Sequence, residues 1–410
     1  MNRSYRNCDP TPPIMQGSPV PPEWRIPPQD WDAPPWNRWA FQHMRELVTT
    51  VDVPRGPTVW DLPGAGSDVD AVAFSDNQGG ATTWGRMLDD TYTDATLIWL
   101  DGQVVVETYC NGMTPRRPHI AFSVSKSIVA AAAGVLIGDG LLDPAAPIAA
   151  YVPELAATGW NGASLQQVLD MTTGVVFDET YGAFNSNVLM LDIAANVKPP
   201  SPHMDPATLP GCTWDLILSL TQTEAVHGDR FSYRSIETDV LGYAMERASG
   251  KRLPDLVSDL LWAPMGAEQD AFFTVDRAGF ALADGGCNAV LRDLARFGRL
   301  LLEDGQRDGQ QIVPLAWIND IRGGNHGLFD DHGRIAFPNG QYRNQFWIPN
   351  RDRPAHLSLG IFGQHIFVDP DQGLVAVKLS SWPDFLSDKH WTLDWLAGVR
   401  AVAAAHKASG

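Results

Sequence analysis

The sequence is short of cysteine, of positive charge and of long apolar runs, and each shortage argues against a class of protein. Its four cysteines (Cys8, Cys110, Cys212 and Cys287) are scattered and form no C-x-x-C pair. That pattern speaks against a disulfide framework or a zinc site and fits a reducing compartment. Cys8, in a proline-rich stretch, reads as the most exposed thiol. Lysine and arginine number 30 against 48 aspartates and glutamates, a net charge of −18. Phosphate binding needs basic clusters, so no nucleic-acid partner is expected. The acidic balance favours solubility and mildly favours cationic substrates. The opening MNRSYRNCDPTPPIMQGSPVPPEW has no apolar segment of the secretory kind. The longest apolar run, Ile128 to Ile137, is too short to span a bilayer. A cytoplasmic protein without a membrane partner is the expectation. There is no H-E-x-x-H or comparable spacing, and His326, His332, His356 and His365 read as structural. Neither a metal nor another cofactor is therefore expected.

What the chain does have is punctuation and periodicity. Residues 1–36 are rich in Pro and Trp (PPEW, PPQDW, PPWN) and read as an extended arm strapped onto the fold. Trp39, His43 and Leu47 recur at helical spacing and predict a helix from about Trp36 to Val48. ATLIWL and QVVVETY, joined by Asp101-Gly102, predict a β-hairpin with a tight turn. FSVSKSIVAAAAGVLIGDGLL is apolar all round, so its helix belongs in the interior, ending at Gly138 or Gly140. From 155 to 285 the pattern is helical and loop-like, with SLQQVLDMTTG, TWDLILSLTQ and TDVLGYAMERASG. AVLRDLARFGRLLLEDG is a further amphipathic helix. QHIFVDP and LVAVKLS flank the turn Asp371-Gln372-Gly373, and TLDWLAGVRAVAAA predicts a closing helix. Strands at both ends with helices between predict an α+β fold, its antiparallel sheet assembled from the two ends of the chain. The expected division is an arm (1–36), an α/β lobe (37–154 with 286–410) and an inserted helical lobe (155–285).

Ser123-Val124-Ser125-Lys126 is the only S-x-x-K in the chain. Residues three apart share a helix face, so Lys126 can lie beside the Ser123 hydroxyl. At a helix start the serine's own N–H is unpaired and points at incoming negative charge. One motif thus offers a nucleophile, a base and half of an oxyanion hole. Burial would lower the lysine's pKa, so that a neutral amine accepts the serine proton. Taken alone, S-x-x-K equally fits a serine capping a core helix with its lysine in solvent. Its place at the start of a buried helix, just after a hairpin, favours the catalytic reading. A proton shuttle is available in Tyr233 of Phe231-Ser232-Tyr233-Arg234-Ser235. A second oxyanion amide is available in Ser358-Leu359-Gly360-Ile361-Phe362-Gly363, whose glycines allow close backbone approach.

The order and spacing of these elements resemble the serine β-lactamase and penicillin-binding-protein superfamily. Within it they are most similar to the 6-aminohexanoate-dimer (nylon-oligomer) hydrolases, relatives of class C β-lactamases and family VIII carboxylesterases. The resemblance runs from Pro34 to Trp395 and includes PPWNRWAF, TYTDA, SVSKS, DPAAPIAAYVPEL, QVLDM, TDVL, FTVD, RDLAR, GQHIFVDP and KLSSWPD. It implies Ser123, Lys126 and Tyr233 as the catalytic set and the amides of Ser123 and Ile361 as the oxyanion hole. It implies Tyr181 as a loop tyrosine contacting the scissile amide nitrogen and Asp192 as the group holding the substrate's amino end. His390, Ser235, Asp284, Gly360 and Trp347 would complete the substrate site. It is also compatible with a homodimer.

Departures from the family pattern narrow the chemistry. Most β-lactamases carry Lys-Thr-Gly where this chain has Ser358-Leu359-Gly360, which removes the grip on a β-lactam carboxylate. Val197 stands where a tryptophan caps the nylon-oligomer pocket, and Asp284 where those enzymes have asparagine or histidine. The leading expectation is an acyl-enzyme hydrolase of linear amides. The alternative is a carboxylesterase on the same site, and a silent scaffold that binds a peptide is the third.

Overall fold

The computed structural model describes residues 13–387 and 390–409. Cys8 lies outside the described residues, while Cys110, Cys212 and Cys287 are free thiols. The hairpin forms as its turn chemistry requires: Thr93–Leu100 pairs antiparallel with Gln103–Tyr109. Asp101 (φ 48°) and Gly102 (φ 86°) supply the left-handed turn. Leu374–Ser380 pairs with Thr93–Leu100, and Gln364–Asp369 pairs with Leu374–Ser380. The seven-stranded sheet therefore runs Gln341–Arg343, Phe346–Ile348, His356–Gly360, Gln364–Asp369, Leu374–Ser380, Thr93–Leu100, Gln103–Tyr109. Every pair along it is antiparallel. Both ends of the chain build this sheet, as expected. The closing helix Trp391–Ser409 buries Trp395, Leu396, Val399 and Val402 with Trp84 and Phe367 on one side of it.

The helix Val124–Gly138 is central, with Val124 to Gly134 buried without interruption. Its alanines let neighbours approach closely. A Cβ on Gly134 would sit 2.6 Å from the Trp317 ring, so this turn admits no side chain. Arg234 to Ser235 lead into the helix Ile236–Ser249, which stops at Gly250 (φ 71°). The amphipathic helix Leu291–Leu302 packs on the strands Gln364–Asp369 and Leu374–Ser380.

Two features depart from the sequence reading. The helix expected over 36–48 is broken into Asn37–Ala40 and a 3-10 turn Met44–Glu46. His43 leaves helical geometry (φ −137°, ψ 30°) and stacks on Trp39, 3.8 Å between ring centres. Its ring Nδ1–H donates to the Trp39 carbonyl (2.7 Å), so the pattern at 39, 43 and 47 reflects an aromatic stack rather than one continuous helix. The second feature is a four-stranded sheet, ordered Thr50–Val53, Ala271–Thr274, Cys287–Ala289, His119–Ile120. Its strands are too short to show a period-two pattern. This small sheet brings the chain just before Ser123 against the chain just after Asp284.

Candidate active site

Ser123 sits at the start of the buried helix, held from three sides. The Ala121 amide donates to the Cys287 carbonyl (2.8 Å), and Ser125 Oγ accepts from the Cys287 amide (3.0 Å). Phe122 adopts φ 45°, an uncommon backbone state for an aromatic residue. It is fixed by packing against Trp31, Phe41 and Phe362. That turn presents Ser123 to a cavity also lined by Tyr181, Asp192, Ser235, Asp284 and Ile361.

Lys126 Nζ donates to Ser123 Oγ (2.9 Å), Ser235 Oγ (3.1 Å), the Asp284 carbonyl (2.8 Å) and Asp284 Oδ2 (3.3 Å). Ser235 spends its own proton on Glu179 Oε1 (2.6 Å), so it can only accept from the lysine. The amine thus faces acceptors, which suits a fully protonated ammonium. Electrostatics agree. Burial works to lower the Lys126 pKa, but Tyr233, Asp284, Glu179 and Asp239 outweigh it and raise it above the usual lysine value. The expectation of a lysine neutralised by burial is therefore corrected: buried carboxylates surround this one. Tyr233 lies against the same pair. Burial raises its pKa, while Lys126 and hydrogen bonding with Ser123 and Lys126 pull it back. The Lys126 ammonium is 5.3 Å from the centre of the Tyr233 ring, and Trp347 stacks on that ring at 5.5 Å. Trp347 thus orients Tyr233 and is not among the residues lining the cavity.

Glu179 is the group that sequence reasoning missed. Its carboxylate accepts from the Ser235 amide (2.8 Å), from Ser235 Oγ and from the Tyr181 hydroxyl (2.8 Å). Burial raises its pKa, against the opposing pull of Lys126. Glu179 therefore ties Tyr181 to the Lys126 cluster. Only its position two residues before Tyr181 could have hinted at this. Asp284 Oδ1 is buried and has no hydrogen-bond partner among the described residues.

The strand His356–Gly360 ends beside the turn that precedes Ser123. A Cβ on Gly360 would lie 2.6 Å from the Ala121 carbonyl, so glycine is required here by close backbone approach. Among the turn, loop and cap hydrogen bonds of the described residues, no backbone carbonyl accepts from the Ser123 or Ile361 amide. His390 is placed differently from the rest. It is exposed at the head of the closing helix with φ 54° and does not line the cavity. Val197 does line it.

Comparison with known proteins bears on the family and the fold. A family model described as Beta-lactamase matches residues 87–398. A 6-aminohexanoate-dimer hydrolase of Paenarthrobacter ureafaciens is 37% identical over 364 residues, 88% of this chain and 89% of that protein. The structure of a Bacillus anthracis protein proposed to be a 6-aminohexanoate-dimer hydrolase superposes with a TM-score of 0.84 at 29% identity. That superposition covers 95% of this chain and 99% of the other. A family VIII carboxylesterase shares the fold, with a TM-score of 0.52 at 17% identity over 76% of this chain and 91% of its own. The chain belongs to the beta-lactamase family and is a serine hydrolase of the β-lactamase fold.

Proposed function

We propose that the chain hydrolyses linear amides of the ω-amino-acid-oligomer type through an acyl-enzyme on Ser123. The observation that carries this reading is the Ser123–Lys126 contact at 2.9 Å, opening on a cavity that Tyr181 and Asp192 also line. Lys126 and Tyr233 act as one proton-handling pair. The pair must first release one proton, because Lys126 rests as an ammonium and Tyr233 as a phenol. It then takes the proton of Ser123, whose Oγ attacks the substrate carbonyl. The amides of Ser123 and Ile361 hold the oxyanion. Collapse breaks the C–N bond, and the departing amine, contacted by the Tyr181 hydroxyl, takes its proton back from the pair through Tyr233. Water repeats the sequence to release the acid. Ser123→Ala is expected to abolish turnover and labelling by a fluorophosphonate while leaving the fold intact. Substantial activity in the purified variant would overturn the assignment.

One observation favours a carboxylesterase as the second reading. The Tyr181 hydroxyl donates to Glu179 and must leave that acceptor before it can serve a departing amine. Esters need no such donor. Tyr181→Phe should therefore lower amide cleavage at least about tenfold more than p-nitrophenyl ester cleavage. Equal losses on the two substrates would remove Tyr181 from the amide step.

A further inference from the structure

The arm strapped across the fold reaches the cavity. Trp31 Nε1 donates to the Val197 carbonyl (2.9 Å), and its ring stacks parallel to Phe122, 6.3 Å between centres. This pins the next residue, Asp32, into the cavity wall beside Val197 and Asp192. Lys198 then lies between two carboxylates. Its ammonium is 2.6 Å from Asp32 Oδ2 but 4.0 Å from Asp192 Oδ2. Asp32 and Asp192 line the cavity and Lys198 does not. Lys198 is instead drawn back over the Phe385 ring, 5.7 Å from its centre, and that ring stacks on Tyr181.

We propose that Asp32 sets substrate specificity: by pairing with Lys198 it keeps that ammonium off Asp192, whose carboxylate stays open to the ammonium at the end of a substrate's acyl chain. The proposal rests on the reading of the Ser123 cavity as the substrate site. Its physical basis is competition. A carboxylate in contact with a lysine offers little to a second cation, whereas one 4.0 Å away still has room for a direct partner. Asp192 keeps 35% of its side-chain surface, while Lys198 keeps 13%, so the acceptor is the more open of the two. Burial pushes the Asp192 pKa up to about 7, and Lys198 works against that rise. Lys198 at this distance therefore helps keep Asp192 ionised without occupying it. The favoured substrates are amides or esters whose acyl chain ends in a primary ammonium. Asp32 acts through Lys198 and is a positioning residue.

The test compares p-nitrophenyl esters of 6-ammoniohexanoic and hexanoic acid at pH 8, each variant reporting the ratio of the two kcat/KM values. Asp32→Asn frees Lys198 to close on Asp192 and should lower the ratio about tenfold. Asp32→Asn combined with Lys198→Met removes the competing cation, restores the local net charge of the native site and should recover the ratio. A ratio unchanged in Asp32→Asn overturns the proposal, as does a fall that the double variant does not recover. Should Asp32→Asn fail to fold, Asp32→Ser frees Lys198 in the same way. The ratio then falls if the proposal holds, and a ratio that is unchanged or higher overturns it. Esters report this ratio even if the chain proves unable to cleave amides, so the two readings fail separately.

Discussion

Two lysines of this protein are equally buried and behave in opposite ways. Lys126 and Lys378 are 1% and 0% exposed. Lys126 is ringed by Asp284, Glu179 and Asp239 and holds its proton more tightly than a free lysine. Lys378 donates to the Thr91 carbonyl and Ser380 Oγ, both neutral, and faces the Trp382 ring. Burial lowers its pKa to about 7, against a weaker counter-pull from Asp94 and Cys110. Asp94 is itself engaged by His119, Asn111 and Ser381. The charge state of a buried amine is therefore set by its neighbours, and burial alone says nothing reliable about its chemistry.

The comparison can be broken most sharply by removing each amine. Lys126→Met should cost about a thousandfold in kcat/KM, the range of a lost acid–base group. A loss under tenfold would place the proton acceptor elsewhere. Lys378→Met should leave activity within a few-fold of the native enzyme and change the pH dependence of stability instead. Folded Lys378 binds fewer protons than the unfolded lysine between pH 7 and about 10, so native stability rises with pH across that window. The rise is at most about 1.4 kcal/mol per pH unit, and it should vanish in the variant. Lys126, whose folded pKa is raised, is protonated in both states there and adds no slope until higher pH. Denaturant unfolding at pH 7, 8.5 and 10 checks both statements. An identical slope with and without Lys378 would refute its lowered pKa. The smallest effect belongs to Asp284→Asn. Losing this carboxylate lets the Lys126–Tyr233 pair release its proton at lower pH. The acid limb of the kcat/KM profile should move down by about one pH unit, raising activity several-fold near pH 6. A profile that stays in place would mean that Asp284 does not govern the pair.

How much of this could be read from residues alone follows the range of the interactions. Ser123 and Lys126 were legible because their relation is local, three residues apart on a helix apolar on every side. The Asp101-Gly102 hairpin was legible for the same reason, since its turn demands positive φ. The broken stretch after Asn37 was misread because a Trp39–His43 stack has helical spacing. Glu179 was invisible because its partner Ser235 lies 56 residues away and no motif marks a carboxylate that bridges them. The Lys126 charge state was misread because it depends on Asp284, 158 residues downstream. The small sheet that joins these regions is made of strands two to four residues long.

The contact between Gly360 and the Ala121 carbonyl carries a practical consequence. The residues just before Ser123 and just before Ile361 meet there main chain to main chain, with no room for a side chain at position 360. Exchanging wall residues such as Val188 or Val197 should therefore change what fits the cavity without moving that main-chain contact. For an engineer, the walls are replaceable parts, and position 360 belongs outside any library.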